Sequence, residues 1–172
     1  MTAKYLVQLL KKNNVDFDIS GTSRSSIKFT EKKIKSYLLN NRNFDPRIKD
    51  SLKESTHVLI STPPEIEKVI IENFLTDLKN NQNLQWVGYL SSTSVYGDHK
   101  GNWVDETSNT NPTSQMGLQR LEAEKKLLNS NLPIRIFRLS GIYSLERNIF
   151  LRLKNNQTKV VKMKNQIFSR IH

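Results

Sequence analysis

The stretch Trp86-Val87-Gly88-Tyr89-Leu90-Ser91-Ser92-Thr93-Ser94-Val95-Tyr96-Gly97-Asp98 decides the fold. An aromatic and apolar run ends abruptly in hydroxyls, then in an aromatic, a glycine and an acid. A parallel strand buried on both faces reads as such a continuous apolar run. Ligands of open α/β sheets meet the carboxyl ends of these strands. The segment therefore predicts both a parallel sheet and, from Ser91 to Tyr96, the rim of a site.

Reading outward, strand and helix alternate. Thr2 to Asn14 reads as a helix with Ala3, Leu6, Leu9 and Leu10 on one side. Val15 to Ser20 reads as a strand ending at Gly21, Ile27 to Thr30 as a short strand, and Glu31 to Asn40 as a helix. Arg47 to Glu54 follows Asp45-Pro46 as a short helix. His57 to Ile60 is an apolar strand. Thr62 and Glu65 have capping-box spacing at the start of a helix that runs to Lys79 and buries Ile66, Val69, Ile70, Phe74 and Leu78. After the central strand, a helix from Thr113 to Asn129 offers Leu118, Leu121, Leu127 and Leu128 as core. Pro133 to Leu139 is a strand, Asn148 to Asn155 a helix, and Val160-Val161 and Ile167-Phe168 are short strand candidates. The alternation predicts βαβ units with right-handed crossovers in a doubly wound, Rossmann-like parallel sheet with flanking helices.

The chain has 172 residues, enough for a single domain with a sizeable core, and is 36% hydrophobic and 25% charged. Nothing in it is long and apolar enough to span a bilayer, its start lacks the apolar core of a signal peptide, and cysteine is absent. These features predict a cytoplasmic protein with neither a disulfide framework nor a membrane partner. The net charge of +11 comes from 27 basic and 16 acidic residues. The basic residues are scattered, which predicts a generally basic surface rather than a nucleic-acid groove. His57, His99 and His172 have no metal-ligand spacing, so no metal is expected.

The motifs resemble the NAD(P)-dependent epimerase/dehydratase family, the extended and atypical short-chain dehydrogenase/reductases. The resemblance rests on Gly21-Thr22-Ser23-Arg24, on Leu90 to Asp98, on Trp103-Val104-Asp105-Glu106 and on Pro112-Thr113-Ser114. The helix pattern Gly117, Arg120, Ala123-Glu124, Leu127 and the strand end Arg138-Leu139-Ser140-Gly141-Ile142-Tyr143 complete it. It implies an oxidoreductase, epimerase or dehydratase acting on a small polar metabolite such as a nucleotide sugar, with a non-catalytic dinucleotide-binding relative as the alternative. It implies cofactor contacts from Thr22, Ser23, Arg24, Ser61, Thr62 and Leu139, and substrate contacts from Thr93, Tyr96 and Arg170. Ser92 matches the family's catalytic serine or threonine. Arg24 follows the second strand, where an arginine accommodates the 2′-phosphate of NADP and an acid would hold the ribose of NAD, so NADP(H) is expected in preference to NAD(H).

The chain departs from that family at its catalytic pair. The family places a tyrosine and, four residues on, a lysine on one helix face, the lysine lowering the tyrosine pKa. Here Met116 and Arg120 hold those positions. Methionine carries no proton and arginine stays charged, so general acid–base help worth about 10²–10⁴ in rate is absent in its usual form. Arg120 is left to hold the cofactor's ribose or a substrate carboxylate. The family's first strand and glycine-rich turn also have no counterpart, and Phe168 to His172 resembles a strand that relatives continue. The chain thus reads as cut at both ends. Without its central strand the neighbouring strands must pair directly or leave open edges, which predicts a weakly stable chain that binds cofactor poorly.

Overall fold

The computed structural model describes residues 2–14, 17–25, 34–145, 147–157, 167 and 169–172, with the side chains of 2–4 outside the description. The expected strands at Ile27 to Thr30 and Val160-Val161, and Phe168, lie outside the described residues. The chain divides into two compact units, Met1–Tyr89 with Lys125–Arg135, and Leu90–Glu124 with Ile136–His172.

In the first unit, helix α1 (Thr2–Lys12) buries Val7, while Leu6 and Leu9, expected inside, are 40% and 58% exposed. Strand β1 spans Ile19–Ser23, later than the sequence predicts, and pairs in parallel with β2, Ile34–Leu38. The helix expected over Glu31 to Asn40 is thus a strand from Ile34 onward. Pairing with β1 overrides local helix preference, and Ile34, Ser36, Tyr37 and Leu38 turn partly inward. Helix α2 (Arg47–Glu54) starts beyond Asp45, whose Oδ1 accepts the Arg47 amide at 3.0 Å. Strand β3 (His57–Ile60) lies parallel to β4 (Trp86–Ser92), with Ile60 opposite Tyr89. Helix α3 (Pro64–Asn80) joins them. Its cap is Pro63 and no side chain bonds there, so Thr62 does not close a capping box. Proline at the first helical position removes an N–H that would otherwise need a partner.

The core of this unit is Leu39, Ile48, Ile66 and Phe74, with Tyr37, Phe44, Leu52, Val69 and Ile70 packed against it. Phe44 meets Phe74 edge-on at 4.9 Å between ring centres. Asn81 is a polar staple: its Nδ2 donates to the Leu52 and Ser55 carbonyls, both at 2.7 Å, and its Oδ1 accepts the Asn83 amide at 2.8 Å. Asn81→Ala removes a donor from two carbonyls at the end of α2, of which Leu52 keeps the Ser55 amide, and is expected to cost about 1 kcal/mol, read as a lowered urea midpoint.

Among the described residues, the two parallel sheets of this unit do not merge. β1 carries β2 as its partner and β3 carries β4. Their other edges, Ser20, Gly21 and Thr22 on one side and His57, Val58 and Leu59 on the other, line one cavity of about 160 Å³. Among the described residues, β1 and β3 do not pair with each other.

The second unit takes the chain from the end of β4 through a 3-10 turn at Thr93–Val95 to helix α4 (Gln115–Leu128). Strand β5 (Ile134–Leu139) completes the sheet in the order β3-β4-β5. The short β6 (Gly141–Ile142) pairs in parallel with β7 (Arg170–Ile171), and helix α5 spans Ile149–Lys154. Leu118 and Leu128, expected in the core, are 50% and 56% exposed. The inward stripe of α4 is instead Gly117, Ala123, Glu124 and Leu127, because Gly117 sits close to the backbone of the preceding turn: a Cβ there would lie 2.6 Å from the Ser94 carbonyl oxygen.

Candidate functional site

β4 delivers its polar end as the apolar run predicts. Val87 and Tyr89 are fully buried and Gly88 has no room for a side chain, since a Cβ there would fall 2.1 Å from the Trp86 ring. The strand continues through Ser91 and Ser92, whose side chains point to opposite faces. Ser91 is buried and donates to Glu124 Oε1 at 2.5 Å. Glu124, 1% exposed, receives Arg138 through Nε at 3.2 Å and Nη2 at 2.9 Å. The Arg138 guanidinium lies 4.9 Å over the Tyr96 ring. Hydrogen bonding to Glu124, then to Tyr96, holds Arg138 protonated well above its already high range, against the effect of burial.

This network sorts the hydroxyls. Ser91 is committed to Glu124 and Tyr96 is buried beneath Arg138. Ser92 is half-buried; its Oγ accepts the Ser94 amide at 3.2 Å and donates to no described residue. An accepting hydroxyl keeps its own proton for a ligand. Thr93, also half-buried, opens the following turn. Arg120 is half-buried and its Nη1 donates to the Leu90 carbonyl at 3.1 Å. A fixed positive charge thereby stands at the end of β4. Met116, one helical turn earlier, is 64% exposed.

In the first unit, Thr22 and Ser23 end β1 and Arg24 follows, exposed. The Ser23 carbonyl takes the Leu39 amide at 2.9 Å, which fixes the strand end from which Arg24 projects. Ser61 and Thr62 follow β3, Ser61 exposed and Thr62 half-buried. The first turn of α3 carries Glu65 and Glu67. Two acids there offset the positive end of the helix and make it a poor cradle for phosphate. A hydroxyl-rich strand end followed by a guanidinium suits an anionic phosphate; the start of α3 does not.

Leu139 ends β5 half-buried. Arg170 lies on β7 against Gly141, where a Cβ would come within 2.5 Å of its Nη1. Among the described residues, no group of three or more His, Asp or Glu could hold a metal ion, and no helix is long and apolar enough to cross a membrane. The sequence reading missed the partnership of Glu124 with Arg138. A signal was present: Arg138 shares the inward face of β5 with Ile134 and Ile136, and a charge in that line needs a buried partner.

No protein-family model and no curated protein matches the chain. Solved structures do. A conserved Silicibacter pomeroyi protein of unknown function is 34% identical with a TM-score of 0.77, over 100% of this chain and 60% of that one. A mutant of the UDP-glucuronic acid 4-epimerase of Bacillus cereus, bound to NAD and UDP-4-deoxy-4-fluoro-glucuronic acid, is 17% identical with a TM-score of 0.69, over 91% of this chain and 61% of that one. A Methylobacillus flagellatus protein described provisionally as an NAD-dependent epimerase/dehydratase is 23% identical with a TM-score of 0.64, over 89% and 55%. The chain therefore spans well under two thirds of the length of each. The resemblance read from Leu90 to Asp98 is borne out in the fold: over the part it spans, this chain has the Rossmann-like architecture of the NAD-dependent epimerase/dehydratase structures.

Proposed function

We propose that the chain is an NADP(H)-binding protein of the epimerase/dehydratase type, acting on a small polar metabolite such as a nucleotide sugar. The observation that carries this reading is the end of β4, where Ser92 keeps a donor proton and Arg120 fixes a positive charge at the Leu90 carbonyl. The similar Bacillus cereus structure holds NAD and a UDP-sugar analogue, which supports the ligand class. In this reading Thr22, Ser23 and Arg24, with Ser61, Thr62 and Leu139, hold the dinucleotide, which supplies a hydride donor or acceptor when bound. Ser92 donates a hydrogen bond to the substrate oxygen, Thr93 and Arg170 border the substrate, and Arg120 offsets negative charge that develops there, while Tyr96 supports the rim from beneath Arg138.

Arg24 is the specificity test. A charge-assisted hydrogen bond to the 2′-phosphate is worth about 1.5–3 kcal/mol. Arg24→Ala is expected to weaken NADPH binding by about tenfold or more and to leave NADH binding unchanged, measured by titration calorimetry. Equal losses for both cofactors would refute the NADP preference.

A second reading is a dinucleotide-binding protein without turnover. It is favoured by Met116, an exposed thioether where the family's proton donor would stand. NADPH consumption assayed over a panel of nucleotide sugars and carbonyl compounds separates the two. Substrate-dependent oxidation supports the enzyme; saturable binding with no oxidation supports the second reading.

A further inference from the structure

Helix α4 meets the end of β4 at two successive residues. Arg120 Nη1 donates to the Leu90 carbonyl at 3.1 Å, and Ser91 Oγ donates to Glu124 Oε1 at 2.5 Å. Positions 120 and 124 are four apart, so both side chains share one face of the helix. Glu124 is also held by Arg138 of β5, whose guanidinium lies over the ring of Tyr96, the residue that ends the turn after β4. One buried carboxylate therefore ties together the end of β4, α4, β5 and the turn at 93–95. We propose that Glu124 is a positioning residue: through Ser91 it fixes α4 against the end of β4, and so sets where the Arg120 guanidinium stands. That this placement serves a ligand rests on the function proposed above; the placement itself does not.

The packing of α4 leaves that task to polar groups. Its fully buried residues are Gly117, Ala123, Glu124 and Leu127, and of these only Leu127 has a large apolar side chain. Large side chains seated in grooves are what lock a helix in place, and glycine and alanine supply little of that relief. Hydrogen bonds are short and directional. A slide of α4 by one turn, about 5.4 Å, breaks the contacts to Leu90 and Ser91 together. For stability alone the carboxylate is a poor choice. An apolar pair of similar volume often holds a fold as well as a buried ion pair, whose members are costly to take out of water. What the charged hub adds is a single arrangement in which Ser91, Glu124 and Arg138 are all satisfied. Ser91, Tyr96, Arg120, Glu124 and Arg138 lie in one compact unit.

The test follows the Arg120 guanidinium by nitrogen-15 NMR in the 172-residue chain without ligand, its signals assigned by their loss in Arg120→Lys. A guanidinium held by a carbonyl rotates slowly about its Cζ–Nη bonds. Ser91→Ala removes one hydroxyl and leaves the Glu124–Arg138 pair in place; it is expected to speed that rotation about tenfold. Glu124→Leu combined with Arg138→Met puts an apolar pair in the same space and should do the same. Asn148→Ala is the control. It removes the cap of α5, where Asn148 Oδ1 accepts the Leu151 amide at 3.0 Å, so it weakens the same unit and should leave Arg120 as it is. The proposal is overturned if rotation stays slow in Ser91→Ala or in the double variant, or if Asn148→Ala speeds it equally. A second arm adds NADPH. Ser91→Ala and Arg120→Ala together should weaken its binding no more than Arg120→Ala alone; additive losses would overturn a role exercised through Arg120. Failure of the unaltered chain to bind NADPH counts against the function proposed above, and the ligand-free arm still decides the placement.

Discussion

Glu124→Ala is expected to destabilise the unit formed by 90–124 and 136–172 by about 3 kcal/mol, a large share of the roughly 5–15 kcal/mol of a typical domain. Glu124 is buried and is the common acceptor for Ser91 and Arg138. Its loss leaves a hydroxyl and a guanidinium in place without their acceptor. The Arg138 side chain retains 19% exposure, so water recovers part of the loss and the lower end of the range for a broken buried pair applies. Arg138→Met should cost more, because the stranded carboxylate is 1% exposed. In the unaltered protein the raised Arg138 value places its contribution below the ordinary arginine range, and the contribution is lost only as pH rises past it. It is therefore fully present at every pH where the protein is handled. The double variant Glu124→Leu with Arg138→Met should lose less than the two single losses added, since an apolar pair replaces a charged one. Urea denaturation of the four proteins measures the coupling; strict additivity would show that the pair does not act as one unit.

Gly97→Ala is expected to cost about 3 kcal/mol. Gly97 has φ +75°, in the left-handed region, and an added Cβ would fall 1.8 Å from the Asn111 carbonyl oxygen. Strain of about 1–3 kcal/mol for the conformation adds to the cost of moving backbone. The displaced bridge, in which the Asn111 amide donates to the Tyr96 carbonyl at 3.2 Å, also ties the loop 98–110 to the end of the β4 turn. The variant should therefore show a lower melting temperature and faster amide exchange at Asn111. A melting temperature unchanged from the original would contradict this account of Gly97.

The parts legible in the sequence were those whose physics is local. Trp86 to Ser92 announced a buried strand with a polar end because burial on both faces demands an unbroken apolar run. Arg47–Glu54, His57–Ile60 and Pro64–Asn80 followed from periodicity and proline punctuation in the same way. Ile34–Leu38 was misread because its sequence suits either a helix or a strand, and only pairing with β1 decides between them. Leu118 and Leu128 were misread because the inward stripe of α4 is set by the close approach of Gly117 to Ser94, a tertiary fact. At the site, Ser92 and Arg120 could be named in advance, but not that Ser91 would be committed to Glu124 while Arg120 anchors to the Leu90 carbonyl. Those partners are 33 and 30 residues apart in the chain, and no spacing rule reaches that far.

The central claim, that strand ends of this chain hold a phosphate-bearing dinucleotide, is tested most directly by titrating NADPH into the isotope-labelled chain and following its backbone amides. The account predicts saturable shifts at Thr22, Ser23, Arg24 and Ser92, and weaker shifts with NADH. Shifts absent from these residues at saturation, or identical with the two cofactors, would contradict it.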